Sequence, residues 1–293
     1  MSSSHLKPLT EDHKRYQDTF NTAFNKIAER DVVFEKVTQF FDKKVMKTLT
    51  DVFDRDDEFS ILGIGVGEGS YECRYLKSIE TFFSSVCISA VDPNEFMLTR
   101  FEERIGALKS NGKSAASCHL VNGPISQFFA EDGLSKNKYN LVSSVHSIYY
   151  LGDFETTFTK MASMVKDNGF IIIFCSKDDL ILKSFSKFSW VEEISQANHS
   201  ISSTVIREFA EILGYDVTSS EIVTQWDITE VFDDQSDLGN KLLDFFTHFA
   251  FFRQTAPSEL VDELMNFWRS VSTEDEDGRI FTPSYEEILV ISK

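Results

Sequence analysis

Three glycines with the spacing G-x-G-x-G, Gly65, Gly67 and Gly69, have the clearest chemical meaning in this sequence. Glycine has no Cβ, so the backbone can turn tightly there and a ligand can approach it closely. Asp92 ends the next strand-like apolar run, where an acidic side chain can accept hydrogen bonds from both hydroxyls of a ribose. Residues 65–69, called the glycine turn below, and Asp92 therefore predict a binding site for a nucleoside-containing ligand.

The elements around the glycine turn follow the order strand, turn, helix. The apolar run Ile61, Leu62 and Ile64 predicts a buried strand before the turn, and residues 71–83 are compatible with a helix after it. A nicotinamide-dependent oxidoreductase would show G-x-G-x-x-G, but Ser70 stands at the position of the third glycine. The pattern resembles the first motif of S-adenosylmethionine-dependent methyltransferases. The alternative is a glycine-rich turn in another α/β protein.

Strands and helices alternate along the middle of the chain. We predict strands near residues 60–65, 87–92, 117–121, 139–145 and 170–175, and helices near 68–82, 94–109, 124–131 and 154–166. Such alternation predicts a parallel sheet with helices on both faces, whose ligands bind at the carboxyl ends of the strands. The expected fold class is therefore α/β. The resemblance to the methyltransferase motif further implies a Rossmann-like class I methyltransferase sheet, mostly parallel with a C-terminal antiparallel strand, plus inserted substrate-lid helices.

The remaining segments are interpreted as additions to one domain. Two amphipathic helices come first, one over residues 10–30 and one starting after Asp31. The chain then ends with a strand, two helices and a pair of strands around Pro283, over residues 215–224, 236–252, 258–270, 279–282 and 287–291. We expect a single methyltransferase domain over residues 1–293. Its cofactor-binding core covers about 57–175, 215–224 and 279–293, and its substrate-region helices about 8–50, 176–212 and 228–272.

The composition of the chain argues against two classes of binding partner, nucleic acids and anionic membranes. The formal net charge is −18, from 47 acidic and 29 basic residues, which argues against binding to nucleic acid or to an anionic membrane. The same charge suits a cationic small substrate, and equally a chain that is simply well solvated. The N-terminus shows no secretory signal, no apolar run is long enough for a membrane span, and the four cysteines lack metal-ligand spacing. We expect a cytoplasmic monomer without a bound metal.

A second cluster of polar and aromatic residues follows the fourth predicted strand. That strand ends near Val145, so His146, Tyr149 and Tyr150 are expected at the carboxyl edge of the sheet, the edge shared with the glycine turn. The tyrosines could instead pack against a helix, and His146 could be a histidine without a catalytic role. No catalytic residue is assigned, because no nucleophile and base can be paired from the sequence.

Several separated stretches resemble the histamine N-methyltransferase family, in the order found there. They are D-H-K-R-Y (residues 12–16), F-F-D-K-K (40–44), I-G-V-G-E-G (64–69), I-Y-Y-L-G-D (148–153), W-D-I-T (226–229), L-L-D-F (242–245) and T-A-P (255–257). The resemblance implies a class I methyltransferase fold. It also implies transfer of a methyl group from S-adenosylmethionine to an imidazole ring nitrogen.

The resemblance also implies roles for individual residues. On the cofactor side these are the glycine-turn residues Gly65 and Gly67, Asp92 at the ribose, and Met97, Ile125, Ser126 and Val145 nearby; Met97 replaces a glutamine of the family. On the substrate side, Glu29 matches a carboxylate that pairs with the substrate ammonium. His146 and Ser284 occupy the positions of a glutamine and an asparagine that bind the ring in the family. Ile181 and Phe185 replace two tryptophans of its aromatic pocket, and Phe252 is aromatic as in the family. Tyr149 and Tyr150 are expected to line the site.

The expected function is therefore that of an S-adenosylmethionine-dependent N-methyltransferase acting on a small amine. The imidazole nitrogen of histamine, or of a related imidazole compound, is the first expectation. Two alternatives stay open at this point: a catalytically inactive cofactor-binding regulator of the same fold, and a methyltransferase for a different small amine.

Overall fold

The computed structural model describes residues 6–26, 30–112, 114–130, 138–190 and 200–292. The chain divides into two compact units, and each is described by itself. The sheet unit comprises Phe34–Cys175, Ser203–Glu221 and Glu287–Lys293, and the helical unit comprises Met1–Val33, Ser176–Ser202 and Ile222–Glu286.

The strands are, in chain order, β1 (Lys7–Pro8), β2 (Glu58–Ile64), β3 (Ser85–Asp92), β4 (Ser117–Asn122), β5 (Tyr139–Val145), β6 (Val165–Asp178), β7 (Asp216–Asp227), β8 (Phe249–Ala250), β9 (Thr273–Glu274) and β10 (Ile280–Ser292). The α-helices are α1 (His13–Lys26), α2 (Arg30–Phe40), α3 (Lys47–Val52), α4 (Glu72–Ile79), α5 (Glu95–Ser110), α6 (Ile125–Ala130), α7 (Phe154–Ser163), α8 (Leu180–Lys187), α9 (Ser203–Ile212), α10 (Asp237–Thr247), α11 (Phe252–Thr255) and α12 (Ser258–Ser270). Within the described part of the chain, no helix is both long and apolar enough to cross a bilayer.

The central sheet has the strand order β4-β3-β2-β5-β6-β10-β7. Strand β2 pairs in parallel with β3 on one side and β5 on the other, β3 with β4, and β5 with β6. The crossovers therefore reverse direction between β2 and β5, and the carboxyl ends of these two strands frame the crevice in which ligands of such sheets bind. In the helical unit, β9 pairs antiparallel with the beginning of β10.

The central strands are apolar because both faces of the sheet are covered. Leu62, Val142 and Ile172 are fully buried in β2, β5 and β6, as expected for strands with helices on both sides. Helix α5 begins after Asn94, whose side chain accepts a hydrogen bond from the backbone of Met97. Such N-caps satisfy a donor that the helix itself cannot, and so fix where the helix begins.

The helical unit is held together by large aromatic side chains. Trp268, Phe246 and Phe252 are almost completely buried in it. The indole nitrogen of Trp268 donates to the Ser184 hydroxyl at 2.8 Å, so the buried polar atom has its partner.

The predicted strands and helices of the sheet unit are confirmed, with differences at their ends. Helix α4 begins only at Glu72 because all three glycines of the turn take positive φ values, from 53° to 69°. The expected pair of final strands is instead one strand, β10, which continues through Pro283 because the φ of proline is compatible with extended structure.

The boundaries of two other helices also differ from the prediction. The helix expected over 236–252 ends at Thr247, because His248 takes a left-handed φ of 62°. Helix α2 begins at Arg30 and not after Asp31, which lies in its first turn, and it continues through a π-helical stretch, Phe41–Met46, into α3.

Candidate functional site

The glycine turn has a backbone that only glycine adopts readily. Gly65, Gly67 and Gly69 have φ values of 62°, 53° and 69°. A Cβ on Gly65 would lie 2.4 Å from the Cβ of Ser147, and one on Gly69 would lie 1.9 Å from the ring of Phe101. A Cβ on Gly67 would meet nothing within 4 Å. Gly65 and Gly69 are therefore required for packing, whereas Gly67 leaves open space over the turn.

Asp92 ties the glycine turn to the end of β3. Its Oδ2 atom accepts from the backbone N–H of Gly67 at 2.8 Å, and its Oδ1 atom accepts from the backbone N–H of Asn94 at 2.8 Å. The side chain is buried, and burial raises the pKa of the Asp92 carboxyl while the two N–H groups act in the opposite direction. Each carboxylate oxygen has a second lone pair, so Asp92 can still accept bonds from a ligand.

Two serines, Ser144 and Ser147, pack against the other side of the glycine turn. The Ser147 hydroxyl donates to the carbonyl of Ile64 at 2.7 Å and lies 2.8 Å from the hydroxyl of Ser144. Because Ser147 fills the space of the missing Gly65 side chain, the loop after β5 and the turn after β2 are packed directly against each other.

A second carboxyl, Glu72, is buried below the glycine turn at the first position of α4. It accepts a hydrogen bond from the Ser143 hydroxyl at 3.2 Å. Burial raises the pKa of Glu72 to about 7, and the nearby charge of Asp92 adds to the shift. Within the described residues Glu72 forms no ion pair.

The other predicted cofactor residues lie around the same edge of the sheet unit. Met97 is buried in the first turn of α5, Ile125 is the buried first residue of α6, and Val145 is the half-buried last residue of β5. Ser126 is exposed. Contact of Ile125 or Ser126 with the cofactor stays a prediction, and the burial of Ile125 suits an apolar contact.

His146 lies where β5 ends, with a left-handed φ of 48° that is uncommon for a residue with a side chain. Its backbone N–H donates to the carbonyl of Phe174 at 2.8 Å, and its ring packs edge-on against the Phe174 ring at 4.7 Å. Tyr149 is buried, whereas Tyr150 is 39% exposed. His146 and both tyrosines thus lie in the loop after β5, and their roles toward a ligand stay predictions.

The remaining predicted substrate residues do not belong to the sheet unit. Glu29 lies outside the described residues. Phe185 is buried against the ring of His248 at 5.6 Å, Phe252 is stacked on Trp190 at 5.8 Å, and Ser284 is buried in β10. Ile181 is half-buried in α8. Their roles toward a substrate stay predictions.

Sequence reasoning missed Glu72, Ser147 and Phe174. Glu72 carried a weak signal, an acidic residue on the otherwise apolar face formed by Cys73, Leu76 and Ile79. Ser147 and Phe174 carried none, because their importance comes from contacts between strands that are distant in sequence.

The residues of this edge fit a nucleoside-bearing cofactor with a positive charge. Open space over Gly67 admits a ligand against the backbone, and Asp92 offers lone pairs beside it. Asp92 and Glu72 are buried carboxyls that pair with no cation among the residues described, and such carboxyls favour a positively charged ligand.

Curated relatives of the chain are histamine N-methyltransferases. The enzyme of Rattus norvegicus is 23% identical over 267 residues, covering 90% of this chain and 89% of its own length. Histamine N-methyltransferase B of Xenopus laevis is 23% identical over 292 residues, covering 98% of each chain. The enzyme of Danio rerio is 22% identical over 290 residues, with the same coverage. No protein-family profile matches the chain.

Solved structures agree on the fold. A Bacillus halodurans protein assigned as a methyltransferase aligns with a TM-score of 0.53 at 12% identity, covering 85% of this chain and 98% of its own. The YcgJ protein of Bacillus subtilis aligns with a TM-score of 0.52 at 10% identity, covering 85% and 97%.

The sequence-based predictions of the resemblance, of the fold and of S-adenosylmethionine as the cofactor of that fold are therefore confirmed. The chain is similar to the histamine N-methyltransferases over nearly its whole length, and its fold is that of the class I S-adenosylmethionine-dependent methyltransferases.

Proposed function

We propose that this chain transfers a methyl group from S-adenosylmethionine to a nitrogen of a small amine, with an imidazole compound such as histamine as the first candidate. The observation that carries the proposal is the edge of the sheet unit formed by the glycine turn, Asp92 and the loop of His146. There, the glycine turn has open space for a cofactor at Gly67. Hydrogen bonds and packing through Ser147 connect the turn to the loop that carries His146, Tyr149 and Tyr150.

Asp92 would hold the ribose through its remaining lone pairs, and the glycine turn would lie against the cofactor at Gly67. Met97, Ile125 and Val145 would supply apolar contacts for the adenine. When bound, the cofactor supplies a methyl group on a positively charged sulfur. Since that charge disperses during an in-line displacement, the protein has to align donor and acceptor and needs no strong acid.

His146, Tyr149 and Tyr150 are the residues we assign to the acceptor amine in the sheet unit. A neutral imidazole nitrogen already carries a lone pair, so these side chains would orient the ring and need not activate it. Aromatic faces also attract cations, which suits an amine that is protonated at a position away from the reacting nitrogen. The assignments of Glu29 to a substrate ammonium and of Phe185, Phe252 and Ser284 to the substrate stay predictions.

The cofactor part of the proposal is tested by thermal unfolding with S-adenosylmethionine, S-adenosylhomocysteine and NAD in parallel. A ligand at a hundredfold excess over its Kd stabilises the folded state by about 2.7 kcal/mol, which corresponds to several degrees in Tm. We expect a shift with the first two ligands and none with NAD. A shift with NAD alone would indicate an oxidoreductase and contradict the proposal.

The substrate part is tested by methyl transfer to histamine, histidine and an imidazole dipeptide, with wild-type protein and Glu29→Gln. If Glu29 pairs with an ammonium, the variant should raise KM for histamine about ten- to a hundredfold, because a charge-assisted bond contributes roughly 1.5–3 kcal/mol. Its Kd for the cofactor should not change. Cofactor binding without transfer to any amine would favour the non-catalytic alternative.

A further inference from the structure

Glu72 occupies the floor of the crevice between β2 and β5. Its Cγ atom lies 3.4 Å from the place where a Cβ of Gly63 would be, and its carboxyl reaches Ser143. Gly63 and Ser143 are direct partners across the two strands. The Glu72 side chain therefore lies at the point of the sheet where the crossovers reverse.

The surroundings of Glu72 stabilise its charge poorly. The donors to its carboxyl are its own backbone N–H and the Ser143 hydroxyl, both neutral, and the charged group that acts on it from β3 is another carboxyl, Asp92. On its own helix, the buried hydroxyl of Tyr75 has no hydrogen-bond partner among the described residues, and the Cys73 thiol has a pKa raised to about 12 by burial and by Glu72. Two basic side chains near this helix turn have other partners: Arg104 pairs with Glu68, and Arg74 donates to the carbonyl of Ser70.

A fold does not gain stability from a buried carboxylate that has only neutral donors, because these donors do not compensate for the removal of the charge from water. A ligand that brings positive charge into the crevice would compensate it. The cofactor of the proposed function changes its charge during the reaction, from a sulfonium in S-adenosylmethionine to a neutral thioether in S-adenosylhomocysteine.

We propose that Glu72 is a positioning residue that selects the cationic cofactor over its neutral-sulfur product, ionised with the first and protonated with the second. The inference rests on the proposed function. When the sulfonium form binds, the Glu72 proton passes to solvent; when the thioether form binds, the carboxyl keeps its proton or takes one from solvent.

The test compares Kd values for S-adenosylmethionine and S-adenosylhomocysteine at about pH 6 and about pH 8, on either side of the pKa of about 7 to which burial raises this carboxyl. In wild-type protein the preference for the sulfonium form should rise by up to about a hundredfold over this interval, since the ratio of ionised to protonated Glu72 rises by that factor. In Glu72→Gln the preference should be the same at both pH values. Glu103→Gln, which removes an exposed carboxylate of α5, should behave like wild type and controls for net charge.

A second measurement needs no variant. Calorimetry of wild-type protein near neutral pH, in two buffers with different ionisation enthalpies, should show protons released with S-adenosylmethionine and fewer with S-adenosylhomocysteine. Equal proton release with both ligands, or a pH-dependent preference that persists in Glu72→Gln, would overturn the inference and would assign the effect to Asp92. Failure of wild type to bind either ligand would instead overturn the proposed function, and this inference with it.

Discussion

The two units bury carboxylates in opposite ways. In the helical unit, Asp244 is completely buried, receives the Arg15 guanidinium at 2.6 Å and accepts the backbone N–H groups of Phe251 and Phe252, each at 2.8 Å. In the sheet unit, Asp92 has two backbone N–H donors, and Glu72 has its own backbone N–H and the Ser143 hydroxyl; neither pairs with a cation in the part of the chain that the structure describes.

This difference separates a structural carboxylate from one that can serve a ligand. Asp244 uses its partners to fix the left-handed backbone at Phe251 and the start of α11, so it has little capacity left. Asp92 and Glu72 lie at the crevice with unfilled lone pairs and unneutralised charge. The comparison predicts that changes at Asp244 affect folding, whereas changes around the glycine turn affect binding and its pH dependence.

The largest expected effect is on stability, from Asp244→Ala. Removal of one partner leaves the Arg15 guanidinium buried without its counter-charge, which typically costs about 3–5 kcal/mol. Urea unfolding should show that loss. Asp237→Ala, which removes an exposed partner of Lys241, is the control and should change stability little. Equal stability of Asp244→Ala and wild type would show that the ion pair is not a structural centre of the helical unit.

The next effect is a change in how stability depends on pH, from Glu72→Gln. The pKa of Glu72 is raised from 4.5 to about 7 in the folded state, so its contribution is present below pH 4.5 and is lost as pH rises through 7. This loss amounts to about 3 kcal/mol at full ionisation. Relative to wild type, Glu72→Gln should gain stability from about pH 5 to pH 8. Parallel stability curves for the two proteins would show that the carboxyl does not titrate in this range.

A smaller effect is expected on cofactor affinity from Asp92→Ala. Charge-assisted bonds to the ribose contribute roughly 1.5–3 kcal/mol each, so the Kd for S-adenosylmethionine should rise about ten- to a hundredfold or more. Calorimetry on the folded variant measures it. Asp275→Ala removes another carboxylate that accepts backbone N–H groups, in the loop before β10, and should leave the Kd unchanged. An unchanged Kd in Asp92→Ala would remove Asp92 from the cofactor site.

The sequence predicted most of the sheet unit because local signals there agree. The apolar run of β2, the glycine turn and the acid at the end of β3 each have a pattern that is independent of distant contacts. The same holds for the loop of His146, whose place after a strand defines the edge it faces.

The sequence could not reveal Glu72 as a buried carboxyl, because its environment depends on Gly63 and Ser143, residues of two different strands. The end of α10 was missed for a similar reason. His248 adopts a left-handed backbone that few residues other than glycine adopt, and its burial, which lowers its pKa to about 4, is a property of the packed unit.

The smallest expected effect separates backbone strain from ligand contact at the glycine turn. Gly67 and Gly112 have φ values of 53° and 63°, and a Cβ on either would meet nothing within 4 Å. Alanine at each position should therefore cost about the same, roughly 1–2 kcal/mol, for the left-handed backbone alone. Because the space over Gly67 is the cradle we assign to the cofactor, Gly67→Ala should in addition weaken binding of S-adenosylmethionine, and Gly112→Ala should not. Thermal unfolding measures the shared cost, and calorimetry measures the difference. Equal Kd values in the two variants would show that the glycine turn has only a structural role. They would also contradict the proposed cofactor site, in which Asp92 and Gly67 contact the same ligand.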